Sequence, residues 1–272
     1  MIEICVLASG SSGNCIYIGT EKARLLLDVG ISGTRVAAGL RAIGVSPWEL
    51  DGIMITHEHR DHVCGAGIVA RRFEVPVFAT ELTWEGIGNT IGELPGWQRR
   101  LLDKKTGLQF GDCRVEFFNT SHDAADPVGC SFTTDTTRSW KVGVATDTGV
   151  AGPEVLAGLA GADLVVFETN HDVEMLRTGR YPWPLKRRIL GDRGHLSNEA
   201  AGRALATLIT EVDRVNRPNR ILLAHLSKEN NRPELAMAAV TRALAARGVR
   251  VGVDTAVSLT YRDRLAPLCR VG

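Results

Sequence analysis

Neither sign of charge dominates this sequence. Thirty-two lysines and arginines nearly cancel thirty-one aspartates and glutamates, for a formal net charge of +1. That balance excludes nucleic-acid binding by bulk charge; such a partner would need a local basic patch. No stretch approaches eighteen uninterrupted apolar residues, so no membrane span is expected. Linkers, low-complexity tracts and helical repeats are also missing. Cysteines are few (Cys5, Cys15, Cys64, Cys113, Cys130 and Cys269), and none stand in C-x-x-C spacing. They read as buried, reduced thiols of a cytoplasmic protein, not as a disulfide framework. The first run, Ile2–Leu7, is strand-like and lacks the charged, long-apolar, small-residue order of a signal peptide.

What is present is globular. Apolar residues make up 44% and charged residues 23% of the 272, which excludes a disordered tail protein. A chain of this size buries roughly 73% of its unfolded surface on folding, so one domain over residues 1–272 is expected to hold without staples. Strand signals fall at Ile2–Leu7, Cys15–Ile18, Arg24–Asp28, Gly52–Ile55, Val77–Ala79, Val115–Asn119, Cys130–Thr134, Lys141–Ala145, Leu164–Glu168, Ile221–Leu223 and Val249–Val253. Helical spacing marks Thr34–Ile43, Val63–Arg72, Leu82–Ile91, Pro153–Leu159, a run from Ser197 to about Glu211, and Pro233–Ala246. Two runs of strands, each followed by helices, point to two face-to-face sheets with helices outside. A single doubly wound sheet would need stricter alternation than the first ~30 residues show.

The densest chemistry lies in Thr56-His57-Glu58-His59-Arg60-Asp61-His62, directly after an apolar strand. Neutral imidazole is the commonest metal ligand, and carboxylate is its usual hard partner. His57 and His59, two apart in extended backbone, project to one side. Asp61 and His62 then point from the following turn to a neighbouring position, so the loop offers ligands to two metals. A solvated polar turn would not require three histidines. Further along, His122, Asp147 and His225 follow strands, and His195 precedes a helix. Each alone reads as an ordinary loop residue; jointly they are what a two-metal rim would need.

The series His57-x-His59-x-Asp61-His62, His122, Asp147, His225 resembles the metallo-β-lactamase superfamily, and Asp28 in Leu25-Leu26-Leu27-Asp28-Val29-Gly30 matches its first motif. More narrowly, Gly10-Ser11-Ser12-Gly13-Asn14, Ser121-His122-Asp123-Ala124, Glu168-Thr169-Asn170-His171-Asp172 and Gly191-Asp192-Arg193-Gly194-His195-Leu196-Ser197-Asn198 resemble the YycJ/WalJ group. The resemblance implies an α/β four-layer αββα sandwich with a dinuclear site on one edge. It also implies 5′-to-3′ exonuclease activity on double-stranded DNA. By the same resemblance His57, His59 and His122 would bind one divalent metal, Asp61, His62 and His225 the other, and Asp147 would bridge them. Zn, Mn or Fe would suit these ligands. Asp61, His195 and Glu168 would serve catalysis, with His195 protonating the leaving oxygen and Glu168 orienting the site. Asp28 would hold a ligand or loop in place, and Asp123 could do similar work. There is no room between Asp147 and His225 for the long inserted domain of the RNA-cleaving β-CASP branch.

Substrate contacts are expected from Ser12 and Asn14, whose Gly- and Ser-rich loop could cradle a phosphate, and from Arg187 and Arg188. The last two lie in a basic stretch, Arg177 to Arg193, interleaved with Tyr181 and Trp183; such a mixture neutralises phosphates and stacks on bases. A solvated helix face with a Pro-rich turn explains the stretch equally well. His171 either lines the cleft or is a solvated loop residue. Two other functions fit the metal loop: hydrolysis of a small cyclic phosphodiester, thioester or lactam, and a metal-stabilised binding or regulatory module without turnover. Oligomeric state is not legible.

Overall fold

The computed structural model describes residues 1–134, 139–211 and 218–272. Ile2–Ala8 (β1), Cys15–Gly19 (β2), Arg24–Leu27 (β3), Gly52–Met54 (β4), Val77–Ala79 (β5) and Arg99–Leu101 (β6) lie side by side in that order. Leu108–Phe110 (β7), Cys113–Asn119 (β8), Val128–Thr134 (β9), Lys141–Ala145 (β10), Leu164–Glu168 (β11), Arg220–Ala224 (β12) and Ala256–Leu259 (β13) form a second sheet in sequential order. The last strand, Cys269–Val271 (β14), returns to the first sheet and pairs antiparallel with β1.

Strand alternation sorts the side chains into layers. On β1, Ile2, Ile4 and Val6 face the core between the sheets, while Cys5 and Leu7 face the helices. On β11, Leu164 and Val166 meet that same inter-sheet core, and Val165 and Phe167 turn outward. Strands buried on both faces therefore read as unbroken apolar runs. Helices Gly33–Ala42 (α1), Ala66–Phe73 (α3) and Glu81–Ile87 (α4) cover the first sheet through Val36, Leu40, Val69, Phe73 and Trp84. The short Arg60–Val63 (α2) precedes α3. Helices Pro153–Leu159 (α5), Asn198–Thr210 (α8) and Pro233–Ala245 (α9) cover the second sheet through Leu159, Leu205, Ile209, Val240 and Leu244. The order helix, sheet, sheet, helix is the αββα sandwich expected from the sequence.

One edge collects the strand ends that matter. β3 and β4 run parallel, as do β10, β11 and β12. β8 reaches β10 through two antiparallel pairings and so points the same way. Asp28, the His57 loop, His122, Asp147, Glu168 and His225 all sit at the carboxyl ends of these strands, on a common rim.

Several elements differ from expectation. The closing strand lies at Ala256–Leu259, not Val249–Val253, where only Val251 bridges, to Thr255. Gly252 (φ +84°) and the Arg250 N–H donated to Asp254 Oδ2 at 2.8 Å curl that segment into a turn. The expected helix 63–72 breaks at Gly65, where a Cβ would come within 1.9 Å of Ile31 O. Strands β6, β7 and β14 are three residues each and went unrecognised, β6 because its Arg99-Arg100 pair reads as plain surface. Two helices, Val173–Thr178 (α6) and Trp183–Leu190 (α7), occupy the basic stretch. Five of the six cysteines are buried and all are free, but Cys64 is exposed. No helix among the described residues is long and apolar enough to cross a membrane.

Candidate metal centre

Three imidazoles meet first. His57 and His59 leave the end of β4, and His122 follows β8. His57 Nε2 lies 3.1 Å from His59 Nδ1, which lies 3.2 Å from His122 Nε2. Donors about 2.0–2.1 Å from a tetrahedral cation stand ~3.3 Å apart, so the separations match a metal site. The second group comes from α2 and the end of β12. Asp61 Oδ2 lies 3.6 Å from His62 Nε2 and 3.8 Å from His225 Nε2. Asp147, at the end of β10, stands between the groups: Oδ2 is 3.3 Å from His62 Nε2, and Oδ1 is 3.9 Å from His122 Nε2.

Backs of the rings are fixed so that their other nitrogens face inward. His62 Nδ1 pairs with Asp28 Oδ2 at 2.7 Å, His122 Nδ1 with Gly194 O at 3.0 Å, and His225 Nδ1 with Glu168 Oε1 at 2.8 Å. Thr56 Oγ1 donates to Asp28 Oδ2 at 2.9 Å and so accepts from His57 Nδ1 at 3.0 Å. Each of these four histidines then presents an unprotonated Nε2, the tautomer a cation needs. His225 Nε2 and Asp147 Oδ2 are buried without a hydrogen-bond partner. Such atoms are costly unless something completes them, and a divalent cation would. The donor set therefore fits metal.

Electrostatics favours positive charge here. Burial opposes a charged His225, but Asp147, with hydrogen bonds to Asp61 and Glu168, pushes it up to about 10. Burial likewise opposes His62, yet Asp147 and Asp28 hold it well above the ordinary imidazole range. Asp147 itself is held well below the usual carboxylate range, because His225 and His62 outweigh its burial. Burial, aided by His62, keeps His57 well below the imidazole range. A bound cation would replace the protons on His62 and His225.

His195 and Glu168 form a second constellation. Glu168 Oε1 pairs at 2.8 Å with both His195 Nδ1 and His225 Nδ1, and its Oε2 accepts the Thr148 and Leu196 N–H groups at 2.9 and 3.2 Å. His195 keeps 20% of its side chain exposed and lines a cleft of about 230 Å³ with His59, Asp61, His122, Asp147 and His225.

Other expected site residues fall differently. Asn14 is buried; its amide lies 3.0 Å from His62 Nε2 and 3.4 Å from Asp61 Oδ2, and its Oδ1 accepts the Gly10 N–H. It braces the ligand loop, and substrate cannot reach it without displacing it. Ser12 is exposed, and Ser11 lines the cleft in its place. The basic stretch separates into parts. Arg188 lines the cleft and is ion-paired to Asp123, whose other oxygen is 3.5 Å from His122 Nε2. Arg187 is exposed. Lys186 turns inward to donate to Arg177 O at 2.7 Å, and Arg193 donates to His122 O at 3.1 Å. His171 is 1% exposed and does not line the cleft. Missed entirely were Leu185 and Ile189 of α7, which wall the cleft with Tyr181. Their four-residue spacing was the available signal.

Comparison with known proteins agrees with this geometry. Residues 23–225 match the Beta-lactamase superfamily domain. The chain is 43% identical to exodeoxyribonuclease YycJ of Bacillus anthracis, over 92% of each. It is 41% identical to exodeoxyribonuclease WalJ of Streptococcus pneumoniae, over 98% of this chain and 97% of that one. The crystal structure of the metallo-β-lactamase fold protein YhfI from Bacillus subtilis superposes with a TM-score of 0.70 at 14% identity, covering 97% of this chain and 98% of that one. The chain belongs to the metallo-β-lactamase superfamily and, within it, to the family of YycJ and WalJ.

Proposed function

We propose that this protein is a nuclease that degrades double-stranded DNA from 5′ to 3′ with two divalent cations. His57, His59 and His122 would hold one cation, Asp61, His62 and His225 the other, with Asp147 between them. The observation that carries the reading is the convergence of these donors, drawn from four strand ends and α2, with Asp147 within 3.9 Å of both groups. The substrate class is supported by YycJ and WalJ, both named exodeoxyribonucleases. Zn, Mn and Fe all suit the ligand set.

Bound divalent cations supply Lewis acidity, which lowers the pKa of a water and offsets charge on a phosphoryl group. The remaining tasks fall to the chain itself. Glu168 fixes His195 through Nδ1, so Nε2 is the atom that gives a proton to the leaving oxygen. Because the same carboxylate oxygen holds His225, proton donor and metal ligand keep one spacing. Arg188, steadied by Asp123, places a guanidinium at the cleft for a phosphate oxygen, and Arg187 adds exposed charge beside it. Tyr181, Leu185 and Ile189 give an apolar wall for sugar or base.

The test is digestion of 5′- and 3′-end-labelled duplex with metal analysis of the same sample. Wild type should contain two metals per chain and release nucleotides from the 5′ end, while Asp61→Ala loses metal and activity together. His195→Ala should keep its metal and lose 10²–10⁴-fold in turnover. Intact duplex with rapid hydrolysis of a thioester or small phosphodiester would overturn the assignment.

A further inference from the structure

The rim does not end at the ligands. Beyond His225 it opens into a second depression of about 190 Å³, and Ser227 lines both. Its walls come from three strand ends: Ser9 after β1, Ser227 and Lys228 after β12, and Thr260 to Arg262 after β13. β13 runs parallel to β12, so this depression is set one strand outward from His225 on the metal edge. Backbone contacts tie it to the ligand turn. Ser9 N donates to Tyr261 O at 3.0 Å, and Ser9 Oγ accepts the His225 N–H at 2.8 Å. A Cβ on Gly10 would lie 3.4 Å from Leu226 O and 3.5 Å from Arg262 Cβ, which shows how closely the loops meet.

Its chemistry is that of an oxyanion seat. Lys228 and Arg262 are the charged residues of the lining, no carboxylate lines it, and neither forms a salt bridge among the described residues. Ser9 Oγ and Ser227 Oγ are engaged as acceptors, from His225 N and Asn230 N, which leaves both hydroxyl hydrogens to donate. Two hydroxyl donors beside two cations suit the non-bridging oxygens of a phosphodiester. In the metal cleft, by contrast, Arg188 already has Asp123 as its partner.

We propose that this depression binds a backbone phosphate of the DNA strand whose neighbouring phosphodiester lies at the metal centre. This rests on the nuclease reading and adds where the strand runs: across Ser227, between the ends of β1 and β13. The seat holds the strand without touching the reacting atoms, so it acts on affinity for polymers and not on the chemical step.

The test compares wild type with a Lys228→Ala/Arg262→Ala double variant, both metal-loaded. Binding of a phosphorothioate-protected duplex is followed against salt, alongside turnover of unmodified duplex and of bis(p-nitrophenyl) phosphate, which has a single phosphate. The variant should flatten the slope of log affinity against log salt by about 1.5–2, since each lost phosphate contact contributes ~0.7–0.9. Its kcat/KM on duplex should fall at least about tenfold through KM, with the aryl ester changed less than about twofold. An unchanged salt slope and duplex KM would overturn the subsite while leaving the nuclease reading intact. Equal losses on both substrates would assign the pair to folding and overturn it too. A wild type that cuts the aryl ester but neither binds nor cuts duplex would fail the nuclease reading itself.

Discussion

Asp28 shows how much one side chain arranges here. It sits in the left-handed region at φ +58°, as do Asp147 (+55°) and His225 (+57°). Strained backbone held at strand ends is common where side chains must be aimed. Asp28→Asn keeps a residue that tolerates this conformation but can set an N–H against His62 Nδ1. Metal affinity at the Asp61, His62 and His225 group should drop 10–100-fold, as is usual when such a supporting contact is lost, and metal titration would read it. His171 makes a different prediction. Burial, assisted by the charge on His195, lowers it to about 4, and both ring nitrogens lack partners. The unfolded chain then binds one more proton between pH 4 and 6.5. Stability should fall as pH drops through that window, by about 3 kcal/mol from this residue. Urea unfolding of His171→Gln should show a correspondingly shallower acid loss. The motif containing His171 was plain in the sequence, but its burial was not, because burial is decided by the elements packed around it.

At the scale of elements, the metal loop is held by β3 as much as by its own strand. Gly30 follows β3, its N–H donates to Asn14 O at 2.7 Å, and a Cβ there would lie 1.6 Å from Asp61 O. Gly30→Ala should push α2 away from the centre, costing about 1–3 kcal/mol or more by overpacking. It should also release metal from the Asp61 group before the His57 group; calorimetry and metal counts would check both. The core elements were legible because their apolar runs are long and β-branched, as in Leu164–Glu168. The three-residue strands β6, β7 and β14 were not, since pairing partners define them more than composition does. Helix α7 was hidden by its basic residues, which masked the apolar pair Leu185 and Ile189.

For the molecule as a whole, metal and proton compete for the same histidines. Metal affinity should rise with pH up to about 10, where His225 gives up its proton, and calorimetry in buffers of different ionisation enthalpy would detect the protons released on binding. Without metal, the raised His225 stabilises the fold fully below its unfolded pKa of ~6.5. That contribution is lost as pH rises through about 10. Chelated protein should therefore weaken across pH 6.5–10 while loaded protein does not. Adding metal at 100 times its Kd should raise unfolding free energy by ~2.7 kcal/mol per site. The sequence by itself determined the layers and the ligand set, because apolar periodicity and a run such as His57 to His62 are local properties. Only the tertiary structure decided that Asn14 braces the loop, that one Glu168 oxygen holds two histidines, and that a basic depression continues the rim past His225. Those facts depend on which strand ends become neighbours across two sheets, and chain order does not state that adjacency.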